Sequence, residues 1–199
     1  NYAAHAKELN NAVPTKPIIF LKPDTAVLKD NKPFYLPDFS SDIHYELEVV
    51  LKICKEGKHI AEKFAANYYD EIGLGIDFTA RDIQAEHKEK GLPWELAKAF
   101  DHSAVVSNFL PKADFSDMND LQFELQVNKE TRQNGHTANL LFSFESIISF
   151  VSQSRDIKAA LKKGDLIFTG TPEGVDQVKQ GDQLEAWLEG KQLINFGVK

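Results

Sequence analysis

Residues 43–53 read "IHYELEVVLKI", and every second position is apolar or aromatic: Ile43, Tyr45, Leu47, Val49, Leu51 and Ile53. Period-two alternation of this kind predicts a β-strand with one face turned to a core. The interleaved positions begin with His44, Glu46 and Glu48. On a strand, Glu46 and Glu48 point to the same side, with Cα atoms about 7 Å apart. Two carboxylates so placed repel unless water or a cation screens them. The stretch therefore has two readings: a wet outer face, or oxygen ligands for a hard divalent cation. Taken alone, the pattern favours the wet face.

The flanking sequence extends the strand reading. "IIFL" (Ile18–Leu21) and "FYL" (Phe34–Leu36) read as short strands between turn residues. "IGLGIDFT" (Ile72–Thr79) reads as a buried strand whose small residues permit close backbone approach. Hairpins are predicted over Leu121–Gly135, turning near Asn128–Lys129, and over Asp182–Val198, turning at Glu189–Gly190. Asp165–Gly174 reads as a strand running into a Thr/Gly/Pro loop. Helices are expected at residues 2–10, Ala61–Tyr69, Arg81–Gly91 and Phe142–Ser154, the last with Phe144, Ile147, Ile148 and Val151 on one stripe. Strands dominate and regular βαβ alternation is absent. The expectation is one α+β domain over residues 1–199, mainly β, built on a curved mixed sheet or roll with short peripheral helices.

Composition narrows the function. The chain has 199 residues and a net charge of −7, and its three arginines are Arg81, Arg132 and Arg155. An acidic, Arg-poor surface argues against nucleic acid and anionic membranes as partners. One local cation cluster can still oppose that field and receive an anionic substrate. Cys54 is the sole cysteine, so intramolecular disulfides and thiolate zinc clusters are excluded. Its place at the end of the strand pattern suggests a buried, inert thiol. No apolar run approaches the roughly 18 residues needed to span a bilayer, and no targeting segment is visible. A reducing cytoplasmic setting is the expectation. No GxGxxG or GxxxxGK[ST] loop is present, which argues against nucleotide-binding folds.

Four further pieces carry possible chemistry. Asp77 ends an apolar strand, where its charge needs a partner; the plainer role is a helix cap, shared with Thr79. Arg81 and Gln84 share one helix face and could hold a carboxylate or be solvated. Lys98 lies in the apolar "LPWELAKAF" stretch, either snorkelling to water or aimed at an anion. His5 and Glu8 stand at i,i+3 spacing, as a base with its orienting carboxylate or as a surface pair, and alone the surface pair is the better reading.

In order, "NYAAHAKE", "HYELE", "DFTARDIQ", "GLPWELAKAF" and "FTGTPEGV" resemble the fumarylacetoacetate hydrolase family, in particular its acylpyruvase branch. That branch includes acylpyruvate and fumarylpyruvate hydrolases and oxaloacetate decarboxylases. The resemblance runs along nearly the whole chain. It implies Glu46, Glu48 and Asp77 as ligands of Mg²⁺ or Mn²⁺, with His44 beside the ligands but not among them. It implies Lys98, Arg81 and Gln84 around the pyruvyl end of a small anionic 2-oxo acid, with Lys22 nearby and Thr171 on the substrate carboxylate. His5 and Glu8 would form a catalytic dyad on a mobile lid helix within residues 1–12. A homodimer is also implied.

The chemistry suits a 2,4-dioxo acid. Cleaving its C3–C4 bond leaves the electrons on pyruvate as an enolate, which a divalent cation and Lys98 would stabilise. Hydrolysis also needs an activated water, for which His5 oriented by Glu8 is the candidate base. Hydrolysis of acylpyruvates comes first because both His5 and Glu8 are present; oxaloacetate decarboxylation or tautomerisation, the alternative, would use the same enolate without that water. A non-catalytic module binding a metal or dicarboxylate is the competing class.

Overall fold

The computed structural model describes residues 1–153 and 160–199. Its strands are β1 (Val27–Leu28), β2 (Ile43–His44), β3 (Leu47–Ile53), β4 (Tyr69–Asp77), β5 (Thr79–Ala80), β6 (Ala104–Val106), β7 (Leu110–Pro111), β8 (Gln122–Val127), β9 (Glu130–His136), β10 (Leu166–Phe168), β11 (Gln183–Leu188) and β12 (Lys191–Gly197). The helices are α1 (Ala3–Glu8), α2 (Glu62–Ala65), α3 (Arg81–Lys90), α4 (Glu95–Lys98) and α5 (Phe144–Gln153).

The long alternating stretch forms two strands, β2 and β3, rather than one. β2 pairs with β5 (Ile43↔Ala80, His44↔Thr79) and β3 with β4 (Leu47↔Ile76, Glu48↔Gly75), in one shared register. The break at Tyr45–Glu46 arises because loops capture backbone donors there. Tyr45 N–H turns to Asp176 O at 3.2 Å and Phe78 N–H to Ser103 O at 2.8 Å. Asp77 N–H still donates to Glu46 O at 2.8 Å, which keeps the two halves aligned.

A mixed sheet in the order β1-β6-β4-β3-β10, with β7 also on β4, packs against an antiparallel sheet in the order β12-β11-β8-β9. Leu47, Val49 and Leu51 lie opposite Ile76, Leu74 and Ile72 and join Phe123, Leu125, Leu184, Ala186 and Ile194 in the buried core. The fold is α+β and mainly strands, a curled half-barrel of mixed sheet with short helices around it, as the sequence pattern predicts. The same alternation puts Glu46, Glu48 and Asp77 together on the opposite face of the β3–β4 ladder. That face is not wet: Glu46 and Glu48 are each 5% exposed and Asp77 1%.

Both predicted hairpins form, and their turns fall at Asn128–Lys129 and Glu189–Gly190, where all four residues have positive φ. That is the type I′ geometry that matches strand twist. α3 ends as expected at Gly91, with φ +66. In α5 the predicted stripe faces inward, while Ser154, the last residue expected in that helix, lies outside the described residues.

Other expectations need correction. Ile18–Leu21 pairs with no strand among the described residues, and Ile18 and Leu21 are 64% and 63% exposed. Pro14, Pro17 and Pro23 bracket the segment, and local composition supplies no edge for it to join. Phe34 makes only an isolated bridge to Val198, though its ring stacks on Phe78 at 3.9 Å. The helix expected over Ala61–Tyr69 shortens to Glu62–Ala65 because Tyr69 is drawn into β4 opposite Ile53. Cys54 is only partly buried, just past the end of β3.

Candidate active site

The acidic face gathers ligand atoms from Glu46, Glu48 and Asp77 within 4.8 Å of one another. Three cations from unrelated segments close over them. Lys98, in the last turn of α4, is 2% exposed and donates to Glu46 Oε2 and Asp77 Oδ2, each at 2.7 Å, and to Thr79 Oγ1 at 2.5 Å. Its Nζ also lies 5.0 Å from the centre of the Phe20 ring. Arg81 opens α3 and donates from Nη2 to Glu46 Oε1 at 2.5 Å and from Nη1 to Gln84 Oε1 at 2.7 Å. Lys22, in an irregular segment, lies 2.7 Å from Asp77 Oδ1 and donates to Ser103 Oγ at 2.9 Å and to Lys98 O.

The loop after β10 covers Glu48. Thr169 N–H and Oγ1 both donate to Val49 O, Gly170 N–H donates to Glu48 Oε2 at 2.5 Å, and Thr171 is 3% exposed. Helix α1 meets the far end of that loop, where Gly174 N–H donates to Glu8 Oε1 at 3.0 Å. The other oxygen of Glu8 lies 3.3 Å from His5 Nδ1. The structure thus brings His5, Glu8, Lys22, Glu46, Glu48, Asp77, Arg81, Gln84, Lys98 and Thr171 around one cluster. His44 stands apart from the ligand atoms and pairs with Asp42 at 2.9 Å.

Burial and charge split the acids. Burial pushes Glu46 up, but Lys98, Arg81 and His5 outweigh it and hold the carboxyl well below the usual range. Glu48 has no such partner. Burial first, then the charges of Asp77 and Glu46, raise it to about 8 despite the Gly170 N–H and Lys98. Lys98 resists its own burial because Asp77 and Glu46 favour its charge, so it is raised. For Lys22 burial wins over the attraction of Asp77, and the group is lowered. Burial also lowers His5 against the pull of Glu46 and Glu8, which leaves a neutral imidazole able to accept a proton.

The cluster fits a divalent cation. Its donors are three hard carboxylate groups, the set that Mg²⁺ and Mn²⁺ prefer. Among the described residues Asp77 Oδ1 is buried and accepts no well-directed hydrogen bond, although Lys22 Nζ lies beside it, and Glu48 is left under-compensated. A divalent ion would answer both. Because Glu48 must then lose its proton, Mn²⁺ affinity is expected to rise about tenfold per pH unit from pH 6 towards pH 8 and to level off above it. Titration calorimetry in buffers of different ionisation enthalpy reads the released proton; a flat affinity would remove Glu48 from the ligand set. The linked sign for chelated protein is a loss of stability as pH rises from about 4.5 to about 8. In that window the unfolded chain gives up the proton that folded Glu48 retains.

The match to the fumarylacetoacetate (FAA) hydrolase C-terminal family covers residues 1–198. The chain belongs to the fumarylacetoacetate hydrolase family. It is 43% identical over 199 residues to oxaloacetate tautomerase FAHD1, mitochondrial, of Mus musculus, covering 100% of this chain and 88% of that protein. Among solved structures it resembles fumarylpyruvate hydrolase from Pseudomonas aeruginosa in complex with Mn²⁺ and pyruvate, with a TM-score of 0.92, 33% identity, and coverage of 100% of this chain and 85% of the other. It also resembles 5-carboxymethyl-2-hydroxymuconate delta-isomerase from Mycobacterium smegmatis, with a TM-score of 0.84, 32% identity, and coverage of 100% and 75%. The family fold thus carries tautomerase, hydrolase and isomerase names.

Sequence reasoning missed one residue of the site. Gln133, on β9, is fully buried and ties the Thr171 loop to the start of β3. A two-residue turn at Asn128–Lys129 alone sets Arg132 opposite Leu125; a bulge between Leu125 and Gln126 shifts the register and turns Gln133 to the inward face, where a polar side chain needs partners.

Proposed function

We propose that the chain is a divalent-metal-dependent enzyme that forms enolates of small anionic 2-oxo acids. The observation that carries this is Lys98, buried and charged against two of three clustered carboxylates, with His5 standing neutral beside them. Oxaloacetate tautomerisation is the leading reaction, supported by the name of the mouse relative. Hydrolysis of acylpyruvates such as acetylpyruvate or fumarylpyruvate, giving pyruvate and a carboxylic acid, is the second reading. It is favoured by the His5–Glu8 contact and by the Pseudomonas hydrolase neighbour.

A Mg²⁺ or Mn²⁺ ion held by Glu46, Glu48 and Asp77 would act as a Lewis acid where negative charge develops on the 2-oxo oxygen. The protein groups do the rest. Lys98 adds positive charge in a dry setting, where a charge is worth more than in water. Arg81 Nε is buried with no acceptor among the described residues and can donate to a substrate carboxylate. Neutral His5 takes the C3 proton in tautomerisation, and the proton returned to the 2-oxo oxygen completes the enol. In hydrolysis His5 takes a proton from the water that adds at C4; the C3–C4 bond then breaks and C3 is reprotonated. Glu8 stabilises the imidazolium in both cases.

No helix among the described residues is long and apolar enough to cross a membrane. The sequence points to a reducing interior, which suits the cytoplasm or, as the mouse relative's name says of that protein, a mitochondrion. The test of the reaction is a panel of oxaloacetate, acetylpyruvate and fumarylpyruvate with added Mn²⁺. Enol absorbance and pyruvate release are both followed. Metal-dependent loss of oxaloacetate enol signal without pyruvate is expected to dominate; pyruvate from an acylpyruvate at a higher rate would put hydrolysis first. No metal-dependent change with any of the three would return the chain to a binding role.

A further inference from the structure

Gln133 is 0% exposed, and its hydrogen-bond partners among the described residues are all uncharged. Its Oε1 accepts Leu47 N–H at 2.9 Å, the backbone amide between Glu46 and Glu48. Its Nε2 donates to Thr171 Oγ1 at 2.8 Å and to Pro172 O at 2.9 Å. The orientation of the amide is fixed by these partners, since Leu47 N–H can only donate and Pro172 O can only accept. Both amide protons are therefore spent on the loop, and the oxygen on the strand that carries the carboxylates.

This wiring sets the direction of the Thr171 hydroxyl. Its oxygen is occupied as an acceptor by Gln133, and its own proton meets no protein acceptor among the described residues. With one lone pair taken by Gln133, the hydroxyl proton is directed away from Gln133 and is free to donate to an acceptor-only group such as a carboxylate. It adjoins Gly170, whose N–H already reaches Glu48 Oε2, so the donor stands at the rim of the carboxylate cluster. We infer that Gln133 is a positioning residue: it fixes Thr171 as a hydrogen-bond donor to the carboxylate of a 2-oxo acid and ties that donor to the strand of the metal ligands. The inference rests on the proposed function, in which a small anionic acid binds beside the cation.

The test is a double-mutant cycle of Gln133→Met and Thr171→Val, read by calorimetry as oxalate affinity in Mn²⁺-saturated protein. Mn²⁺ affinity itself is measured by electron paramagnetic resonance. Losing one hydrogen bond to an anion is expected to weaken oxalate about tenfold or more. Each single variant should show that loss, and the double variant should bind oxalate no worse than the weaker single one. A Gln133→Met variant that binds oxalate as the wild type does, or two losses that multiply, would overturn the inference. Gln133→Glu serves if the methionine variant does not fold. It keeps the shape and the acceptor for Leu47 N–H but draws the Thr171 proton to itself, so oxalate should weaken while Mn²⁺ binding is retained; undiminished oxalate binding there overturns it equally. Failure of Mn²⁺-loaded wild type to bind oxalate would take down the functional reading and this inference together, whereas the preceding outcomes remove this inference alone.

Discussion

Lys98→Met is expected to destabilise the chelated protein by about 3–5 kcal/mol and to cut turnover by about 10²–10³. The lysine is buried and donates to Glu46, Asp77 and Thr79 at once. Methionine fills a similar volume but leaves carboxylates in a dry site with one cation fewer. Protonation removes the uncompensated charge, so the stability deficit should shrink as pH falls. Divalent metal should shrink it too, because a cation takes over the same oxygens. Denaturant unfolding at two pH values, with and without Mn²⁺, tests both statements. A deficit that ignores pH and metal would mean that the lysine contributes through packing alone. The kinetic loss follows from removing a fixed positive charge near the oxygen where the enolate forms. It should persist at saturating Mn²⁺.

His5→Ala is the second large effect. It is expected to slow proton transfer by about 10²–10⁴, in tautomerisation and in acylpyruvate hydrolysis alike, while Mn²⁺ affinity stays close to wild type. His5 is on α1, not on the sheet that holds the carboxylates, and touches Glu8 at 3.3 Å. Decarboxylation of oxaloacetate offers an internal contrast. It needs neither a base at C3 nor an attacking water, so the variant should lose much less of that activity. Equal losses in all three reactions would point to disturbed substrate binding. Unchanged rates would remove His5 from the mechanism. A pH–rate profile adds a further check, since burial lowers the imidazole and the acid limb should lie below the usual histidine range.

Much of this was legible in the chain. Alternation over Ile43–Ile53 placed Glu46 and Glu48 on one face, and the apolar run into Asp77 placed the third carboxylate at a strand end. Asn128–Lys129 and Glu189–Gly190 marked both hairpin turns. What the residues alone did not reveal was that the acidic face is dry. Lys22, Arg81 and Lys98 cover it from an irregular segment, a helix start and a helix end. No periodicity links these positions, so Glu-x-Glu by itself reads as a wet face, and only the order of motifs along the chain points the other way. Ile18–Leu21 misled for the opposite reason. Its composition suits a strand, but strand formation needs a free edge, which composition cannot supply. Gln133 was hidden because its meaning depends on the register of a hairpin and on a loop some forty residues away.

The shared register of the β2–β5 and β3–β4 pairs has a consequence for which changes in chain length the protein can absorb. A residue inserted between the exposed Lys55 and Glu56 lengthens the connection from β3 to β4 and leaves the paired positions of the two strands opposite each other, at a small entropic cost. Deleting Leu47 would turn the rest of the strand inside out. Glu48 would then enter the hydrocarbon side, or the whole ladder would have to slide. Natural or engineered variants should therefore differ freely in length at the first of these positions and hold a fixed residue count across 43–53 and 69–80.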